Sequence, residues 1–508
     1  MNRAAALGVA GIAALIVAAE SLAALTGSEH LPAPHAIASE LRELAGDADF
    51  GAALWFTLRS WWLGFIIASA LGITVGFGLG AWPAARRFIT STVDFLRPIP
   101  SVSFIPVAVL IWGVEPQATM ILVAYAAFWF ALLQTWAGIA DVDPLSIEAA
   151  TTLHLPIGRR IVHVVVPQAL PAVVTGLRLA LTTALVVCVS AEMIIGSPGL
   201  GHEVAAARDS GATQTMYALI VVCGVLGLGA DLLMRRLGRA AHRRRGPHRG
   251  GAGASAAHSS RRMRALQTWT LPMLLIGAWW FITSPSPFFP SLRTIAESAG
   301  DTWGHGHLAD ALGPSLVRYT IAMTIATLVG VLLGTALGMA PRFAELTTPV
   351  LEFGRAIPPP VLLPMLIVLL GIGDAMRITV IVIGCVWPIL LATADGVRGV
   401  DPIVADTARV YRVPPARTAL TVMLPAAAGR ISAGIGQALG VGLIMLVISE
   451  MFAATAGIGA DLIRFQASFA IAPMWSAVIL LGLLGATVSW LHHRAERRFL
   501  RWLNEPAS

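Results

Sequence analysis

The residues with the most distinct chemical character gather in two polar segments. The first holds Asp143-Pro144, then Glu148-Ala149-Ala150-Thr151-Thr152-Leu153-His154-Leu155-Pro156, with Arg159-Arg160 behind it. The second holds Asp401-Pro402, then Asp406-Thr407-Ala408-Arg409-Val410-Tyr411-Arg412-Val413-Pro414, followed by Arg417. Asp-Pro starts a short helix. Small residues at 149, 150 and 408 let a partner surface approach closely. A proline then ends the helix, because the residue before it is pushed out of helical geometry. Two such segments make a pair of docking knobs; the alternative is a pair of plainly solvated helices.

The two segments lie 258 residues apart, and so does much else. Arg97-Pro98-Ile99-Pro100 returns as Arg355-Ala356-Ile357-Pro358, and Glu192-Met193 as Glu450-Met451. Gly199-Leu200-Gly201 returns as Gly457-Ile458-Gly459, and Gly72, Gly76 and Gly80 as Gly330, Gly334 and Gly338. A period this long is no solenoid unit, which runs to tens of residues. It is a whole domain fused to its relative, so the function needs two such domains side by side.

The domains belong in a membrane. Of 508 residues, 56% are hydrophobic and 12% charged, against about 25% charged in soluble domains. Each half reads as six apolar helices. They run roughly over 5–26, 54–80, 88–113, 118–139, 169–196 and 216–236, then over 266–283, 312–339, 346–371, 375–397, 427–453 and 474–493. The Ala-rich opening resembles a signal peptide, but its counterpart in the second half lies mid-chain, so both read as first membrane helices. The expected fold is all-α and transmembrane, with about twelve helices as two parallel six-helix repeats. The domains are 1–237 and 265–508, joined by an Arg/Gly-rich linker at 238–264. Arg86-Arg87, Arg159-Arg160, Arg235-Arg236 and the linker arginines would share the cytoplasmic side. The linker suits anionic lipid headgroups better than nucleic acid.

Composition also excludes functions. The net charge of +7 comes from arginine alone, for the sequence contains no lysine. A Walker A loop, which needs Gly-Lys-Ser/Thr, is therefore ruled out. Cys188, Cys223 and Cys385 sit in apolar segments without metal-ligand spacing. No metal site and no bound cofactor are expected, and no nucleophile–base pattern supports a membrane enzyme.

Ionisable groups at membrane depth remain as path candidates. Arg97 and Arg355 lie about nine residues into the expected third helix of each half, or roughly 14 Å. They either attract an anion near a shared axis or pair with Asp94 and Glu352 three residues earlier. Glu192 and Glu450, near the outer ends of the fifth helices, either help close an external gate or contact a delivery protein, or reach headgroups and helix-end donors. Trp129 and Trp387 either line a path or pack helices.

The ordered set of motifs resembles the permeases of binding-protein-dependent ABC importers, and their nitrate/sulfonate/taurine type in particular. Leu96-Arg97-Pro98-Ile99-Pro100, Val166-Pro167-Gln168-Ala169-Leu170-Pro171, Gly176-Leu177-Arg178 and Ala191-Glu192-Met193 before Gly199-Leu200-Gly201 carry the likeness, together with the two polar segments, which match the EAA loop. The resemblance covers nearly the whole chain, twice. It implies a type I importer permease of the bacterial inner (plasma) membrane. It implies two copies of a separate ATP-binding subunit using ATP and Mg, and a periplasmic or lipid-anchored substrate-binding protein. Glu148, Ala149, Ala150, Leu153 and His154, with Asp406, Thr407, Ala408, Tyr411 and Arg412, would then couple to the ATPase. The cargo would be a small anion such as nitrate, a sulfonate or taurine. The chain departs from the family where a glycine after the EAA segment falls at His154 and Arg412, so that turn is expected to be built differently. The competing class is a secondary transporter with parallel six-helix repeats, which would need midplane carboxylates rather than docking loops.

The arginine asymmetry makes a topological prediction. A cysteine placed in the 238–264 linker should react with a membrane-impermeant thiol reagent only after cells are permeabilised. One placed between Glu29 and Asp49 should react in intact cells, and the reverse pattern would invert the orientation.

Overall fold

The computed structural model describes residues 3–27, 30–242, 261–281, 288–304, 306–454 and 456–500, and among them contains helix and no strand. The first half runs α1 (Arg3–Thr26), α2 (Pro34–Leu44), α3 (Ala48–Ala81), α4 (Pro83–Leu96), α5 (Ile105–Trp112), α6 (Pro116–Ala140), α7 (Pro144–Thr152), α8 (Ile157–Arg160), α9 (Val166–Ile195), α10 (Leu200–Asp209) and α11 (Thr213–His242). The second half repeats the order: α12 (Arg261–Phe281), α13 (Leu292–Trp303), α14 (His307–Met339), α15 (Pro341–Ala356), α16 (Leu363–Leu370), α17 (Asp374–Arg398), α18 (Pro402–Val410), α19 (Pro415–Thr418), α20 (Leu424–Ala453), α21 (Ile458–Ala467) and α22 (Ile471–Phe499). The 258-residue spacing holds for whole elements: α5 and α16, α6 and α17, α7 and α18, and α9 and α20 start and stop in register. Irregular turns recur as well. A π turn at Ile161–Val165 returns at Ala419–Met423. Pro167 and Pro425 follow, and a residue without an N–H forces this local widening of the helix.

Among the described residues nine segments are long and apolar enough to cross a bilayer, or eleven if two bent pairs are included. The bent pairs correct the expected third helices at 88–113 and 346–371. Phe88–Leu96 meets Ser101–Trp112 at 78°, and Pro341–Ala356 meets Pro359–Leu370 at 87°. Pro98 and Pro100 in one half, and Pro358 to Pro360 in the other, remove donors and break the helix there. The remaining expected span, 266–283, falls on α12, of which Thr270–Trp280 is described as an apolar helical segment. Residues 282 and 283 at the end of that expectation lie outside the described residues, as do 243–260 of the linker.

Glycine determines how the helices meet. A Cβ built on Gly72 would lie 2.7 Å from Ala131 Cβ, and one on Gly76 2.6 Å from the Leu132 carbonyl, so α3 touches α6 backbone to backbone. Gly334 repeats this between α14 and α17, 2.6 Å from the Leu390 carbonyl. With lipid as apolar as the side chains, such close approach is what holds membrane helices together. The two halves also meet reciprocally. Gly224 of α11 faces Ile357 of the second half, and Gly482 of α22 faces Ile99 of the first, each with a built Cβ 2.8 Å from the isoleucine Cγ1. Such a matched pair of contacts is the mark of a parallel twofold arrangement. The first helix of each half crosses over to pack on the bent helix of the other, α1 on α15 and α12 on α4.

These contacts predict a contrast between neighbouring glycines. Gly76→Val should lower the melting temperature of the detergent-solubilised protein, since overpacking costs about 1–3 kcal/mol. Gly78→Val, where a Cβ meets nothing within 4 Å, should stay close to wild type. Equal melting temperatures would refute the close approach of α3 and α6.

Candidate functional site

The two polar segments fold as one motif. The Asp143 carboxylate accepts hydrogen bonds from the N–H groups of Leu145 (3.1 Å) and Ser146 (3.3 Å), and Asp401 accepts from Ile403 (2.9 Å). Each aspartate thus caps a helix whose first residue is proline. Each helix ends with a paired backbone turn. The His154 N–H reaches Thr151 O (2.9 Å) and Leu155 N–H reaches Ala150 O (3.0 Å); Arg412 reaches Arg409 O and Val413 reaches Ala408 O, both at 3.0 Å. This is a Schellman end, and it needs a left-handed residue. His154 (φ 53°) and Arg412 (φ 51°) supply it themselves. The expectation of a different turn is therefore corrected: the geometry is the one glycine would favour, held by two side-chain-bearing residues at a strain of about 1–2 kcal/mol each.

A second correction concerns the small residues. Ala150 is 3% exposed and Ala408 7%, so each packs inward against its own half rather than admitting a partner. The outward surface is apolar instead. Leu145, Leu153 and Ile157 on one loop, and Ile403, Val410 and Tyr411 on the other, are each at least 70% exposed. Glu148, Ala149, Asp406 and Thr407 are exposed beside them. Asp406 pairs with Arg409 at 2.6 Å, so the loops match in shape and differ in charge. Sequence reading missed Leu145, Ile157, Ile403 and Val410. The available signal was large apolar residues inside an otherwise polar stretch.

Glu192 and Glu450 are not surface groups: each is 1% exposed. Glu192 accepts from Thr57 Oγ1 (2.9 Å) and the Gly201 N–H (3.0 Å). Glu450 accepts from Ser315 Oγ (2.6 Å), the Gly459 N–H (3.1 Å) and Arg318 (3.2 Å). Each carboxylate pins the first turn of α10 or α21. Gly199 (φ 151°) and Gly457 (φ 132°) leave it room, since any Cβ there would collide with it. Of the alternatives open in the sequence, bonding to helix-end donors is the one observed.

The intramembrane arginines differ from one another. Arg355 Nη2 lies 2.7 Å from Asp231 and 2.8 Å from Glu352. Asp231 also holds Arg178 (2.6 Å) and Arg235 (2.7 Å), and Arg235 closes the ring onto Glu352. Three arginines and two carboxylates thus join α9 and α11 of the first half to α15 of the second. Arg97 is exposed at the end of α4. Among the described residues Arg97 makes no close ion pair with Asp94, although its charge acts on that carboxylate, whereas Glu352 and Arg355 do pair. Trp129 packs edge-on against Tyr125 and Phe128, with ring centroids at 5.8 and 5.1 Å. Trp387 lies beside Gly354, next to Arg355, and its buried indole N–H has no hydrogen-bond partner among the described residues.

The family model of the binding-protein-dependent transport system inner membrane component matches residues 54–243 and again 326–501, and the chain belongs to that family. A probable ABC transporter permease protein of Brucella melitensis biotype 1 is 31% identical over 214 residues, which is 42% of this chain and 87% of the relative. The taurine transport system permease protein of Escherichia coli K12 is 30% identical over 214 residues, 41% of this chain and 78% of the relative. The nitrate import permease protein of Synechococcus elongatus is 25% identical over 193 residues, 37% and 69% of the two chains. Each relative matches about the length of one half. The protein is therefore a multi-pass inner-membrane permease of an ABC importer, built as two fused copies, which sets aside the secondary-transporter class. As a family component it works with an ATPase and a substrate-binding protein.

The left-handed turns carry a testable consequence. His154→Gly and Arg412→Gly should leave the melting temperature unchanged or slightly raised. His154→Val should lower it, because a β-branched residue resists positive φ. A glycine variant as destabilised as the valine variant would contradict the turn.

Proposed function

We propose that this chain forms the membrane path of an importer for a small anion of the nitrate, sulfonate or taurine type. In this reading 1–237 and 265–508 are the two permease domains, joined on the cytoplasmic side by 238–264. Two copies of an ATP-binding subunit dock from the cytoplasm, one on α7 and one on α18. ATP and Mg bind to those subunits and not to this chain, which hydrolyses nothing itself. A periplasmic or lipid-anchored binding protein delivers the cargo to the opposite face.

The observation that carries this reading is the duplicated loop. The same capped helix, the same Schellman end and the same exposed apolar tip occur at positions 258 residues apart. Exposed leucine, isoleucine and tyrosine on a water-facing loop suit burial in a partner's cleft. The names of the relatives, for taurine and nitrate, support the class of cargo.

The test is reconstitution in proteoliposomes with the cognate ATPase and binding protein, offering labelled nitrate, taurine and ethanesulfonate in turn. The wild-type complex should take up at least one of them with ATP. The double variant Leu153→Asp, Tyr411→Asp should lose ATPase co-purification and uptake by at least about tenfold, since a buried interface anchor is worth roughly 2 kcal/mol. Normal uptake by the double variant would overturn the docking assignment. Ala150→Arg would be a poorer probe, because that residue is buried within its own half.

A further inference from the structure

A cavity of about 500 Å³ opens where membrane spans end. It is lined by Gly338 of α14, by Pro341, Glu345, Thr348 and Pro349 of α15, and by Arg398 of α17. Both α14 and α17 are long and apolar enough to cross a bilayer. Gly338 is one residue from the end of α14, and Arg398 is the last residue of α17. The apolar stretch of α1 begins at Leu7, and a Cβ built on Gly8 would lie 2.8 Å from Pro349 Cγ. Spans from both halves thus end around one cavity, which puts it at the headgroup level of the bilayer rather than among acyl chains. It opens on the side of the polar loops, since α17 leads through 399–401 into α18.

The charges around it are those that fit a zwitterion. Arg398 brings a guanidinium and Glu345 a carboxylate, and both residues are exposed. Arg398 Nη2 donates to the Leu337 carbonyl at 3.2 Å, which holds the guanidinium against the end of α14. Its contact with Asp395 is 4.0 Å, too long for a hydrogen bond. Among the described residues its other N–H groups are therefore left for a ligand. Further along α14, Leu328 and Leu332 are exposed, as a surface for acyl chains requires. The charge pair is not part of the repeated frame. The residues 258 positions before Glu345 and Arg398 are Arg87 and Ala140, so only the second half sets one charge of each sign on these two helices.

Lipid chemistry narrows the occupant. A phosphate diester matches the guanidinium fork, and a primary ammonium can donate N–H to a carboxylate. Phosphatidylethanolamine carries both in one headgroup. Phosphatidylcholine has no N–H to donate, and phosphatidylglycerol brings no cation to Glu345. We propose that this cavity binds the headgroup of phosphatidylethanolamine, with its phosphate on Arg398 and its ammonium on Glu345. The lipid then bridges α15 and α17 of the second half beside α1 of the first, at the root of α18.

The experiment titrates the full chain in detergent with phosphatidylethanolamine, phosphatidylcholine and phosphatidylglycerol of identical acyl chains. Native mass spectrometry follows the most tightly held lipid, and melting temperatures are measured alongside. Wild type should hold phosphatidylethanolamine at least about threefold more tightly than either other lipid, the scale of an exposed charge contact. Glu345→Gln should bind phosphatidylethanolamine and phosphatidylcholine equally. Arg398→Gln should weaken both by about threefold, because the phosphate contact they share is lost. Arg342→Gln, an exposed position that does not line the cavity, should bind as wild type. If Arg398→Gln does not fold, Glu345→Gln decides alone. Equal affinity of wild type for the three lipids, tightest binding of phosphatidylglycerol, or an unchanged preference in Glu345→Gln overturns the proposal. So does undiminished binding by a folded Arg398→Gln, or an equal loss in Arg342→Gln, which would mark attraction to surface charge in general.

Discussion

Where α3 crosses α6, and α14 crosses α17, glycine removes the side chains that would hold the backbones apart. α6 and α17, fixed by these contacts, lead directly into the two polar loops. α6 ends at Ala140 and α7 begins at Pro144, with only 141–143 between them. That link is anchored: Val142 is 5% exposed, and the Asp143 N–H donates to Gln168 Oε1 at 3.1 Å. α7 is thus tied to α6 through the link and to α9 through Gln168. Both are long, closely packed membrane helices rather than flexible connections. In the second half α18 follows α17 across an equally short link, 399–401, but Ala426 stands where Gln168 does and Val400 is only half-buried, so this anchoring is particular to the first half.

Duplication explains the frame, and divergence explains the polar detail. Thr57 and Ser315 are counterparts, and each bonds the buried glutamate of its half. Ser60 has become Arg318 in the second half, where it bonds Glu450 and reaches Asp374 at 2.8 Å. The first-half glutamate makes do with a hydroxyl, a thiol and a backbone N–H. The ionic ring around Asp231 and Glu352 has diverged in the opposite sense, since its members from α9 and α11 lack charged equivalents except at His493. A buried carboxylate can be satisfied by neutral donors or by arginine, and each half has arrived at its own solution.

Much of this was legible in the residues. The repeat offset predicted the duplicated order of elements and the equivalent places of the two polar loops, because a duplicated sequence folds twice in the same way. The glycine spacing pointed to the helix contacts. Other features were hidden for physical reasons. The helix breaks after α4 and α15 depend on several prolines acting together, whereas one proline inside a membrane helix is tolerated. The turns at His154 and Arg412 were misread because a left-handed residue is normally glycine, and two strained exceptions cannot be told from a different turn by composition. The burial of Ala150 and Ala408 was missed because a small residue serves equally well against a partner or against its own domain. The Asp231 cluster joins residues from distant parts of the chain, and no local spacing announces it.

If two equivalent loops of one chain each receive an ATPase subunit, contact at those loops is the most direct readout. A photo-crosslinking amino acid placed at Leu145, and separately at Ile403, would be activated in membranes that contain the assembled importer. The account predicts a covalent adduct of the mass of this chain plus one ATPase subunit from each position, and none from Leu25, an exposed residue at the end of α1. Adducts with the ATPase from neither loop, or equally from Leu25, would contradict it.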